Sequence, residues 1–62
     1  MQQAQAEKVT WGRIVIVKQG THKGEIFEVR RVDYGLARLR PWPDGGKIIL
    51  VNEKWLEVLA RA

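Results

Sequence analysis

The sequence predicts an all-β fold: a small five-stranded antiparallel barrel with a short helical turn before the last strand. Three observations predict it. Short runs rich in β-branched and other apolar residues recur at 13–18, 25–32, 36–40, 47–51 and 56–59. The turn signals "GTHKG", "VDYG" and "PWPDGG" separate the first four runs. The chain has 62 residues and no cysteine. One domain is therefore the ceiling, and closing the sheet, not a disulfide, would protect its edges.

Residues 1–8, "MQQAQAEK", carry no apolar period. They read as a flexible N-terminal tail, with 9–62 as the barrel domain. "RIVIVK" is a strand, but Ile14, Val15, Ile16 and Val17 are all apolar. One face meets the core, and the other needs cover from the tail, a neighbouring element or a partner. In "EIFEVRRV", Val29 and Val32 are three apart, and a bulge near Arg30 and Arg31 would restore alternation. In "LARLR", Ala37 and Leu39 share one face, and Arg38 and Arg40 share the other. The prolines of "PWPDGG" hold Trp42 near a loop tip, and Asp44-Gly45 is a favoured hairpin corner. "NEKW", 52–55, is a helical turn with Asn52 as its cap. The alternative is a three-stranded sheet with "VNEKWLEVLARA" as a C-terminal helix, Trp55, Leu56 and Leu59 forming its stripe.

Composition narrows function by exclusion. Apolar residues make up 45% of the chain, which suits a globular domain. No apolar run approaches the roughly 20 residues of a membrane span, and the first residues lack the basic start and apolar core of a signal peptide. The expectation is a soluble, cytoplasmic protein with no membrane partner. With one histidine and no cysteine, no metal site and no cofactor are expected. "THK" places a hydroxyl, an imidazole and an amine together at 21–23, but adjacent residues point in different directions and no acid stands out to orient His22. "GTHKG" lacks the Walker pattern, because Lys23 precedes the second glycine and a strand comes next. The carboxylates are scattered. An enzyme is not expected.

Eleven Lys and Arg against seven Asp and Glu give a net charge of +4, which favours polyanionic partners. Lys18 and Lys23 flank the first turn, Arg30 and Arg31 lie on the second strand, and Arg38 and Arg40 on the third. If the second and third strands pair, one of Arg30 and Arg31 joins Arg38 and Arg40 in an outer stripe. Phosphate contacts from such a stripe supply affinity without reading sequence. Alternating arginines are equally how a half-buried strand keeps its outer face in water. Trp42 adds an aromatic that can stack on an unpaired base or anchor a protein contact.

Gly12, Val15, Val17, Gly20, Lys23, Gly24 and Val29 follow the order G-x-x-V-x-V-x-x-G-x-x-K-G with a valine beyond it. Over residues 12–32 the chain thereby resembles the KOW motif of SH3-like domains in ribosomal proteins and transcription elongation factors. The resemblance implies an SH3-like barrel and nucleic-acid binding tied to the ribosome or to transcription. One position departs: Phe27 stands where the family usually has glycine. The ending "WLEVL" is similar to the close of other SH3-like barrels, one of them a photosystem accessory subunit, which implies a protein partner instead.

The principal expectation is thus a non-enzymatic module binding RNA or DNA through Lys18, Lys23, Arg30, Arg31, Arg38, Arg40 and Trp42. The alternative is a protein-interaction module or small regulatory subunit using Phe27, Trp42, Ile14 and Ile16. A homo-oligomer that buries those apolar patches is a third.

Overall fold

The computed structural model describes residues 8–61. The predicted tail lies outside the described residues except for Lys8, which is exposed. The strands are β1 (Arg13–Val17), β2 (Ile26–Asp33), β3 (Leu36–Pro41), β4 (Ile49–Asn52) and β5 (Leu56–Arg61), with a 3₁₀ turn at Glu53–Trp55. They form one antiparallel sheet in the order β4-β3-β2-β1-β5.

Register explains which side chains face inward. Val15 stands between Phe27 and Val58, Val29 opposite Leu39, and Ala37 between Val32 and Val51. Val15, Val17, Phe27, Val29, Ala37, Leu39 and Val51 pack as one buried cluster, ringed by Val9, Val32, Ile49, Trp55, Leu56 and Val58. Burying such side chains is the main favourable term in folding, at about 25 cal/mol per Å² of apolar surface.

Two bulges keep that pattern. The β2–β3 register shifts between Val29 and Arg31, so Val29 and Val32 both reach the inner face. The bulge expected near Arg30 and Arg31 is there. A second shift in the β1–β5 ladder leaves Leu59 between the paired residues Val58 and Ala60. A bulge on an edge strand also discourages pairing with another sheet. The apolar excess of β1 resolves unevenly, because Ile14 is only 4% exposed while Ile16 is half-buried.

The 3₁₀ turn bridges distant parts of the sheet. Glu53 donates its backbone N–H to Gly35 O at 2.9 Å, and Trp55 O accepts from Lys18 N at 2.7 Å. Asn52 caps the turn as expected, its Oδ1 accepting from Lys54 N at 2.8 Å. The chain then continues as strand β5, not as the C-terminal helix of the alternative fold.

Closure is where expectation fails. The edges β4 and β5 are joined by no ladder among the described residues, so the sheet is open and the predicted SH3-like barrel is corrected to an open five-stranded sheet. The chain itself shows why. The four residues of β4 pair along their whole length with Leu36–Leu39, and the 3₁₀ turn then delivers the chain to the far side of β1. Among the described residues, neither outer edge has a further strand to pair with.

Candidate functional site

The "GTHKG" turn is built by its backbone. Gly24 N donates to Val17 O at 2.7 Å, and Val17 N to Glu25 O at 3.1 Å. With Gly24 at φ 89°, one residue of β1 faces two beyond the turn, the glycine-dependent form of a bulge. Glu25 Oε1 lies 2.9 Å from His22 Nδ1, an acid that residue type and spacing alone did not single out. The imidazole also meets Phe27 edge-on, with centroids 5.8 Å apart. Thr21 makes no hydrogen bond to His22 among the described residues. This geometry holds a half-buried imidazole between Glu25 and the Phe27 ring.

The basic residues do not make one stripe. Glu28, its side chain 13% exposed, lies 3.4 Å from Arg40 Nη1 and 3.8 Å from Arg30 Nη1. Arg31 pairs with Asp33 on the same strand at 2.5 Å. Lys18 reaches Glu57 at 3.3 Å. Lys23 and Arg38 are exposed and form no ion pair among the described residues. Placement divides them further. Lys18 and Lys23 lie by the β1–β2 turn, on the side of the sheet where Trp42 donates its N–H to Ile26 O at 3.3 Å. Trp42 is 45% exposed and its bond to Pro43 is cis. Arg30 and Arg40 surround Glu28, whereas Arg31 and Arg38 stand directly opposite each other toward the β2–β3 turn.

Like charges directly opposite in a sheet repel, and the neighbouring carboxylate, Asp33, is paired with Arg31 and not with Arg38. Arg31, Asp33, Tyr34, Leu36, Arg38 and Leu50 line an open hollow of about 170 Å³. Tyr34 is fully exposed and is the only non-glycine residue with positive φ, 52°, among the described residues. With Gly35 at φ 78° it makes the two-residue turn that suits the twist of a hairpin. Sequence reasoning did not single out Tyr34 as lining such a hollow. The sequence pattern ends the second strand at Val32; the structure carries β2 on to Asp33, and the two-residue turn this leaves before Leu36 calls for positive φ at the residue preceding Gly35.

The apolar residues assigned to a protein contact fare differently. Phe27 and Ile14 are 3% and 4% exposed, and both are withdrawn from any surface site. Phe27 belongs to the core because its register places it opposite Val15. Trp42 remains at the surface.

Among the described residues, no group of His, Cys, Asp and Glu is placed to hold a metal ion, and no helix is long and apolar enough to cross a membrane. Comparison of the chain with protein-family models, with curated proteins and with solved structures finds no match. The resemblance to KOW-motif domains is accordingly corrected: no family model matches, and the sheet lacks the barrel closure that the resemblance implied. The spaced glycines and valines of residues 12–29 are accounted for by the turn and the core.

Proposed function

We propose that the chain is a small, non-enzymatic, cytoplasmic module that binds RNA or DNA through the phosphate backbone. The observation that carries this reading is Arg38: an exposed guanidinium with no acidic partner among the described residues, facing a second arginine across the ladder. An anion entering beside Arg38 relieves its repulsion with Arg31 and supplies the kind of anionic partner that Arg31 already has in Asp33. The net charge of +4 acts in the same direction. Arg30, Arg40, Lys18 and Arg31 already have carboxylate partners, so the reading centres the site on Arg38, with Arg31 included because it stands directly opposite Arg38 and Lys23 as an outlying contact.

Fluorescence anisotropy with labelled RNA and DNA, measured across a salt series, tests it. Affinity falls steeply with salt, and Arg38→Ala weakens binding on every sequence while lowering the salt slope by about 1. Affinity that stays flat across salt, or no binding at low salt, sinks the reading.

A protein partner is the second reading, favoured by the exposed Leu36, Leu50 and Trp42 side chains. It predicts little salt dependence and loss of partner binding on truncating Trp42.

A further inference from the structure

We infer that the β2–β3 turn seats an unpaired base against Tyr34, so that the nucleic acid bound is single-stranded. The inference rests on the nucleic-acid reading above and specifies the ligand of the same site.

Two properties of Tyr34 lack a structural motive. Its ring is fully exposed, so it adds nothing to the core. Its backbone sits at φ 52°, a region unfavourable to bulky side chains and natural to Gly, Asn and Asp. A turn selected only for folding would carry one of those residues ahead of Gly35. The sequence instead holds an aromatic ring in water, beside a hollow whose other walls are Leu36, Leu50, Arg31, Asp33 and Arg38.

The walls define the ligand by chemistry. Leu36 and Leu50 are exposed apolar side chains that offer contact to a flat, poorly hydrated face. Arg38 favours a negative charge next to that face, because Asp33, the carboxylate lining the hollow, is already paired with Arg31. A nucleotide in a single strand presents both, a free base face with its phosphate close by. A duplex presents the phosphate but hides the base faces in the stack. An uncharged apolar peptide offers the face without the anion and leaves Arg38 unanswered.

The test uses the full chain with an oligothymidylate of about 15 nucleotides and a duplex of equal length. Tyr34→Asn removes the ring and suits the turn better than tyrosine does, so loss of folding does not confound it. Circular dichroism and thermal melting confirm the fold of each variant. The wild type binds the single strand more tightly than the duplex, and Tyr34→Asn weakens single-strand binding by about 5- to 100-fold. Duplex binding by the same variant stays within about twofold, and Tyr34→Phe keeps the wild-type affinity for both, because either ring stacks. In NMR titrations the Tyr34 ring protons shift on adding the single strand and not on adding duplex.

Salt-dependent binding that Arg38→Ala weakens but Tyr34→Asn leaves unchanged overturns the inference and spares the nucleic-acid reading. So does tighter binding of duplex than of single strand. Failure of the single strand and of the duplex alike to bind at low salt, as DNA and as RNA, overturns both and leaves the protein-partner reading.

Discussion

The ring of Trp55 occupies the space that a side chain on Gly20 would need. A β-carbon built on Gly20 falls 2.7 Å from Trp55 Cζ3 and 3.3 Å from its Cε3, and Gly20 itself sits at φ 87°. The first turn and the 3₁₀ turn are locked together here, beside the 2.7 Å hydrogen bond from Lys18 N to Trp55 O.

Gly20→Ala therefore meets two penalties. The left-handed backbone costs about 1–2 kcal/mol for a residue with a β-carbon, and displacing the indole adds roughly 1–3 kcal/mol. Gly24→Ala is the control, since its φ is 89° but nothing lies within 4 Å of the added atom. Urea unfolding of both variants should show Gly20→Ala as the more destabilised. Equal midpoints would mean that the indole moves aside freely.

Phe27→Ala opens a cavity among Val15, Val29 and Leu39 and should cost about 3–5 kcal/mol. Folding free energies of roughly 0.05–0.15 kcal/mol per residue leave a chain this short little margin, so near-complete unfolding at 37 °C is expected by circular dichroism. A folded, stable variant would mean that the neighbouring side chains collapse into the space the ring leaves.

Glu28→Gln releases Arg30 and Arg40 from their shared carboxylate. Because Glu28 is only 13% exposed while both arginines are about half exposed, stability should fall by about 1–2 kcal/mol, more than for a surface pair. Nucleic-acid affinity at low salt should rise, and the salt slope should steepen by about 1–2 as freed guanidiniums meet phosphates. An unchanged slope would place Arg30 and Arg40 outside the interface.

Tyr34→Asn should raise the melting temperature while it weakens single-strand binding. Relief of the left-handed strain contributes about 0.5–1 kcal/mol. That opposition is the mark of a residue kept for contact and not for folding. A variant that melts lower would mean that the tyrosine ring supports the hairpin in a way its full exposure does not suggest.

The strands were legible in the sequence because their inner faces keep period two once a bulge is allowed at Arg30. The Asn52 cap and the change from the 3₁₀ turn to β5 were legible from residue type as well. Closure was not, since it depends on how two edges meet across the whole sheet, and no local pattern in "KIILV" or "LEVL" encodes that. Phe27 was ambiguous because Ile26 precedes it, and two adjacent apolar residues leave the inward face open until Val29 fixes the parity. The ionic partners were hidden for a related reason. Glu28 reaches Arg40 only in the register fixed by the bulge, so the expected arginine stripe read as continuous when acidic neighbours divide it. Tyr34 was passed over because residue type alone does not announce the sign of φ.

The order β4-β3-β2-β1-β5 also bears on how the chain reaches its native state. Ladders β1–β2, β2–β3 and β3–β4 each join sequence neighbours through a turn, and such hairpins close on a microsecond scale. The β1–β5 ladder instead pairs segments near opposite ends of the described chain, a closure with a larger entropic cost. The meander would therefore assemble first and β5 dock last, with the Trp55 ring reaching Gly20 in the same late step. Substitutions in β5 should then accelerate unfolding more than they retard folding, and the amide protons of Leu56–Arg61 should exchange ahead of those in β2.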